Sequence, residues 1–217
     1  MKLAFSIANR FLASSKGQTS LIVIGIMIGV AVQVFIGSLI DGLQTSLVDR
    51  TIGSSAQITL VDEGNENYFS ENEDLLIELR EDARLTAVSP VINGNGFIVE
   101  DEATYPVLMR GFEFEAAESI YNFTDSLVEG ALPEAEGEVL IGTNLAEELA
   151  LGLGETFEFT TPAGEIVEEE IVGIFDLGVA SLNESWLVSK MNNVQTMFDE
   201  KDNISAVEMQ VDDVFAA

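Results

Sequence analysis

Three short clusters in this 217-residue chain carry side chains that could do chemistry. Glu168, Glu169 and Glu170 are consecutive carboxylates, and Asp62 with Glu63 forms a second acidic pair. Either group could offer hard oxygen ligands to Ca²⁺ or shuttle a proton. Ser189 next to Lys190 places a hydroxyl beside an amine. Each cluster has a plainer reading. Neighbouring residues of a strand point to opposite faces, so the glutamate run reads as a solvated sheet edge. Asp62 to Asn67 lacks the spacing of an EF-hand loop and reads as a surface loop. Ser189 at the start of a helix reads as a cap. The chain has no histidine and no cysteine. That removes imidazole bases, histidine metal ligands, thiolates and disulfides. No catalytic residue, metal ligand or cofactor-binding residue is expected, and the surface-enzyme reading is set aside.

A different spacing is more informative. Leu21 to Ile40 reads LIVIGIMIGVAVQVFIGSLI and contains no charge. A helix of that length crosses a hydrocarbon core of about 30 Å. Within it, Gly25, Gly29, Gln33 and Gly37 recur every four residues. Small residues let a second helix approach closely, and an intramembrane glutamine seeks a hydrogen-bond partner. We therefore expect this face to pack against another membrane helix, from a second chain or from a part of the protein outside these residues.

The flanks set the orientation. Lys2, Arg10 and Lys16 precede the span, and no acid occurs before Asp41. Basic residues stay inside, so the N-terminus is expected in the cytoplasm and the remainder outside. A cleaved signal peptide would have a shorter apolar core. Residues 3–12 place Leu3, Ile7 and Phe11 on one stripe opposite Ser6, Asn9 and Arg10. Such a helix lies on the inner membrane face against lipid.

Charge excludes further partners. The chain carries 38 acids against 9 bases, and setting aside Lys2, Arg10 and Lys16 leaves six bases against all 38 acids, a net −32. That field repels nucleic acid and anionic lipid from the outer part.

Beyond the span, the helix is expected to continue to about Asp49 and to end at Gly53-Ser54-Ser55. AQITLV (56–61) alternates as a strand. Ser70 with Glu73 forms a capping box for a helix burying Leu75, Leu76 and Leu79. Strands near 86–92 and 96–100 flank Asn93-Gly94-Asn95-Gly96, a hairpin signal. TYPVLMRGF is a further strand, and residues 112–137 are glutamate-rich and turn-prone toward their end. EVLIG (138–142) is a strand, followed by a helix from Asn144 to Leu151, with Asn144 and Glu147 as cap candidates and Gly152 as its stop. ETFEFTT and EIVEEEIVGIF form a half-buried hairpin, WLVS (186–189) a strand, and AVEMQV (206–211) a final strand. Between those last two, Ser189 opens a helix carrying Met191, Val194, Met197 and Phe198.

This order resembles the N-terminal half of a MacB/LolC/FtsX-type ABC transporter permease. The stretch LVEGALPEAEGEVLIGTNLAEELALGLGETFEF (127–159) is similar to the family's G-x-x-P…E-x-x-x-G…LA…L-x-x-G-x-x-F pattern. IVGIFDLGVASLNESWLVSKMNNVQTMF (171–198) and the terminal strand follow in the family's order. The resemblance implies an α+β fold: one transmembrane helix, then an extracytoplasmic mixed α/β domain with a β-rich insertion. Its parts would be a cytoplasmic amphipathic helix (1–17), a transmembrane helix and stalk (18–49) and an extracytoplasmic domain (50–217). Residues 50–110 with 186–217 would form the membrane-proximal α/β part, and 111–185 the insertion. The resemblance also implies a dimer of permeases, homologous or identical, served by a separate P-loop ATPase whose hydrolysis moves the outer domain for export, extraction or signalling. The chain itself contains no GxxxxGK[ST] loop. Three further membrane helices are expected outside these residues, in a longer chain or a separate one. The competing expectation is a single-span, membrane-anchored sensor or binding protein.

Overall fold

The computed structural model describes residues 10, 16–52, 55–62, 68–100 and 103–211. The chain forms two compact units, divided between Val48 and Asp49.

The first unit is built on α1 (Lys16–Ile52), a helix of 37 residues. At 1.5 Å per residue it is about 55 Å long. Its portion Lys16–Ile40 is long and apolar enough to cross a membrane, and none of it is buried. A helix apolar on all sides yet uncovered needs a non-aqueous solvent, which the bilayer supplies. The backbone remains helical through the stalk region, as its sequence predicts.

The second unit begins with β1 (Ile58–Leu60) and β2 (Phe69–Ser70). Helix α2 (Glu73–Glu81) follows, with Leu76 buried. Its N-cap is Asn72, whose side chain accepts a hydrogen bond from the Leu75 amide at 3.1 Å. The expected Ser70–Glu73 capping box does not form. Ser70 is committed to β2, where it pairs with Asn203 and its hydroxyl donates to Asn203 Oδ1 at 3.3 Å. Asn72→Ala should therefore cost the outer domain about 1 kcal/mol in chemical denaturation, whereas Ser70→Ala should leave α2 capped.

Next come β3 (Leu85–Glu100) and β4 (Ala103–Phe112), an antiparallel pair in register from Val91↔Phe112 to Glu100↔Ala103. The hairpin expected at Asn93-Gly94-Asn95-Gly96 is absent. Those four residues lie in mid-strand, paired with Arg110, Met109, Leu108 and Val107. The glycines serve close approach. A Cβ at Gly94 would lie 2.1 Å from the Phe198 ring, and one at Gly96 2.1 Å from the Phe159 ring. Tertiary packing thus overrides a strong local turn signal.

The glutamate-rich stretch holds more structure than its composition suggests: α3 (Phe114–Tyr121), α4 (Phe123–Ser126) and edge strand β5 (Leu127–Gly130). Ala117, Ile120, Tyr121 and Phe123 point inward while Glu115 and Glu118 do not. Strand β6 (Glu138–Gly142) runs directly into α5 (Thr143–Leu149). Asn144 is not the cap of α5. Gly142 occupies that position without a side-chain hydrogen bond, and Ala150, at φ 54°, ends the helix two residues before Gly152.

Strands β7 (Thr156–Thr160) and β8 (Ile166–Phe175) form the expected hairpin. Then follow α6 (Ala180–Asn183), β9 (Trp186–Lys190), α7 (Met191–Met197), β10 (Asn203–Ile204) and β11 (Ala206–Val211).

Nine strands make one sheet in the order β1-β11-β3-β4-β9-β6-β8-β5, with β7 pairing both β3 and β8. Pairs β4–β9 and β6–β8 are parallel and the others antiparallel. Strands from 50–110 and 186–211 lie together, and those from 111–185 extend the same sheet through β9–β6 and β3–β7. Alternate strand residues feed two cores. Val88, Ile92, Met109 and Leu187 pack with α2, α5 and α7, whereas Val91, Phe112, Leu140 and Val188 pack with α3 and α4. The period-two alternation of each strand is what divides the cores.

Candidate functional site

The first candidate is the face of α1. Gly25, Gly29, Gln33 and Gly37 are all helical and exposed. A Cβ placed on Gly25, Gly29 or Gly37 meets nothing within 4 Å. Among the described residues, a methyl group at these positions would clash with nothing. Lys16 opens the helix and is exposed, Arg10 is helical and exposed, and Lys2 lies outside the described residues together with most of the amphipathic segment.

The acidic clusters behave differently from one another. Asp62 is exposed, and Glu63 lies outside the described residues. Glu168 and Glu170 are exposed, as a solvated face requires. Glu169 is not: it is only 1% exposed. The expectation of a solvated edge fails at Glu169 because its side chain lies on the inner face of β8, where Asn193 of α7 packs against it. Glu169 instead faces Asn193, whose Nδ2 donates to its Oε2 at 3.0 Å. Its other oxygen, Oε1, has no hydrogen-bond partner. Burial raises the Glu169 carboxyl to about 7, opposed by the Asn193 hydrogen bond.

Ser189 and Lys190 do not make a nucleophile–base pair. Ser189 lies in β9, where its hydroxyl donates to the Glu138 carbonyl at 2.6 Å and accepts from Asn193 Nδ2 at 3.0 Å. It does not begin the helix. Lys190 stands at the N-cap of α7 without capping it, and its ammonium donates to the Glu134 carbonyl at 3.1 Å.

A second buried centre left no signal in the sequence. Arg110 on β4 is 3% exposed. Its Nη2 donates to Glu208 Oε1 at 2.5 Å, its Nε to Asn93 Oδ1 at 2.8 Å and its Nη1 to the Tyr121 hydroxyl at 3.1 Å. Tyr121 in turn donates to Glu208 Oε2 at 2.7 Å. The guanidinium lies 4.0 Å from the Trp186 ring centre. Burial, chiefly, holds the Tyr121 phenol well above its usual range, keeping it a donor. This centre ties β3, β4, β11 and α3 together. Arg110 and Glu208 alone lie 98 residues apart, so no local pattern could have found the centre.

A surface cleft of about 650 Å³ lies between β3, the 161–165 turn and the end of α7. Two of its hydroxyls are engaged internally: that of Tyr68 donates to the Asn93 carbonyl and that of Ser205 to the Val91 carbonyl. Among the described residues, no group of three or more acids could hold a metal ion.

An uncovered apolar helix leading into a folded α+β domain, with buried polar centres serving its framework, is the build of a membrane-anchored domain. The chain belongs to the MacB-like periplasmic core domain family, whose sequence model matches residues 19–215, from within α1 through β11. It is 23% identical over 204 residues to the lipoprotein-releasing system transmembrane protein LolC of Xylella fastidiosa, covering 88% of this chain and 48% of that protein. The chain thus spans about half the length of that relative. Among solved structures, the extracellular domain of the noncanonic ABC-type transporter YknZ from Gram-positive bacteria shares the fold. The TM-score is 0.51 at 14% identity, over 71% of this chain and 82% of that one. The periplasmic region of MacB from Actinobacillus actinomycetemcomitans gives 0.49 at 14% identity, over 76% and 78%.

Proposed function

We propose that this chain is the N-terminal part of an ABC permease subunit. In this reading a cytoplasmic P-loop ATPase drives the membrane helices, and α1 passes that motion to the outer domain for export, extraction or signalling. The N-terminus with Lys2, Arg10 and Lys16 lies in the cytoplasm, and the domain after α1 lies outside. The face of Gly25, Gly29, Gln33 and Gly37 packs against a further permease helix, in a dimer of permease subunits. The observation that carries the reading is that the family match runs unbroken from the membrane helix through the outer domain. A domain merely tethered to the membrane would not need its anchor to share the family pattern.

Gly29→Leu tests it. A Cβ at this position meets nothing within 4 Å among the described residues, so the outer domain should fold unchanged. Co-purification of partner membrane chains and ATPase from detergent extracts should fall at least tenfold, equivalent to about 1.4 kcal/mol. A single-span sensor or binding protein is the second reading, and it predicts that leucine is tolerated at Gly25, Gly29 and Gln33. Unimpaired assembly of Gly29→Leu would favour that reading.

A further inference from the structure

Glu169 joins the least solvated carboxylate position of β8 to a small polar clamp. Asn193, from α7, donates to Glu169 Oε2 on β8 and to Ser189 Oγ on β9, and its own Oδ1 accepts from the Gly137 amide at 3.1 Å. Ser189 completes the set by donating to the Glu138 carbonyl on β6. The Asn193 side chain thus joins α7 to β8, β9 and the turn before β6, and among the described residues Glu169 is the only titratable group hydrogen-bonded to it.

The surrounding charges leave Glu169 alone. On its own strand, Glu168 and Glu170 are exposed. From the β7 side, Glu155 and Glu158 are exposed, and Phe157 is the residue paired with Glu169. On β6, the Glu138 carboxylate turns back to accept from the Glu134 and Ala135 amides. Lys190, at the end of β9, donates to the Glu134 carbonyl. Glu147 and Glu148 of α5 are exposed, and α7 carries no charged residue. Among the described residues, no cation pairs with the carboxylate, and one of its oxygens has no donor. An ionised carboxylate so placed loses hydration it does not recover.

We propose that Glu169 is a proton-operated pin: protonated, it stays dry beside Asn193 and lets α7 pack tightly against β8 and β6, and its ionisation draws water in and loosens that corner of the outer domain. The proton would sit on Oε1, the oxygen that Asn193 leaves uncovered. The direction follows from linkage. The folded-state carboxyl is raised from 4.5 to about 7, so the folded state holds the proton more tightly than the unfolded chain. The stabilisation is complete below about pH 4.5 and is lost as pH rises through about 7.

The test is amide hydrogen exchange, read by mass spectrometry on the full chain in detergent and corrected for intrinsic rates. Peptides covering α7 and residues 137–139 should lose protection at least tenfold between pH 5 and pH 8. Glu169→Gln, isosteric with the neutral acid, should keep the same protection across that range. Loss of protection in Glu169→Gln equal to the wild type, or no loss in the wild type, would overturn the pin. A measurement on unmutated protein stands beside it. In ¹³C-carboxyl NMR of glutamate-labelled chain, one side chain should titrate near neutral pH, well above the others. A spectrum in which every carboxyl titrates in the ordinary acidic range would overturn the proposal without any variant.

Discussion

Arg110→Met should destabilise the outer domain by about 3–5 kcal/mol, among the largest effects of any single change in this chain. The substitution removes the cation but leaves Glu208 buried at 7% exposure. Glu208 would keep only the Tyr121 hydroxyl as a donor, and Asn93 Oδ1 would lose the Arg110 Nε. The stacking of the guanidinium on Trp186 would go as well. Lysine should not rescue it, because an ammonium cannot reach Asn93, Tyr121 and Glu208 while also lying flat on an indole. The double change Arg110→Met with Glu208→Leu should recover most of the loss, since a buried ion pair replaced as a unit by apolar groups is often nearly neutral. Urea denaturation of the three proteins measures this. A single-variant loss below about 1 kcal/mol would mean that the centre is solvated enough to tolerate an unpaired carboxylate.

Gly142→Ala is the second large expected effect, and it works through space. Gly142 sits where β6 becomes α5, against the short helix α6. An added Cβ would lie 2.3 Å from the Asn183 carbonyl oxygen and 2.6 Å from its Cα. These are backbone atoms, so no side-chain rotation relieves the contact. Asn183 is itself fixed, since its amide donates to Asp176 Oδ1 at 2.6 Å and its Oδ1 accepts from the Leu177 amide at 3.1 Å. We expect a loss of about 3 kcal/mol, at the upper end of ordinary overpacking. Gly152→Ala is the control, because its nearest neighbour would be a carboxylate oxygen at 3.8 Å. It should change the unfolding midpoint little. Equal midpoints for the two variants would show that α6 moves aside freely.

Much of the fold was legible because it is written in local periodicity. The apolar run of α1, the strand EVLIG, the alternation of β7 and β8 and the final AVEMQV strand each declare themselves within a few residues. What stayed hidden depends on distant chain. Asn93-Gly94-Asn95-Gly96 carries a turn signal, yet Phe159 and Phe198 need the glycines in a flat strand. Ser70 fits a capping box, yet pairing with Asn203 claims it for a strand. Glu169 alternates correctly with its exposed neighbours, but whether the inward face is solvent or core depends on β7, β6 and α7, which the run of glutamates does not encode. The Arg110–Glu208 pair is invisible for the same reason. The membrane-helix face is the reverse case: its spacing is legible in the sequence, and the helix that would pack on it belongs to the proposed assembly.

The claim that this chain works within an ATP-driven permease is tested most directly by recovering the native protein from its own membranes in gentle detergent. Intact-mass and peptide mass spectrometry would then identify its companions. The account predicts a P-loop ATPase together with further hydrophobic helices, either in a second chain or in a parent chain much heavier than 23.4 kDa. A lone 23.4 kDa species with no ATPase would contradict it and leave a single-span sensor or binding protein that shares only the outer domain's fold.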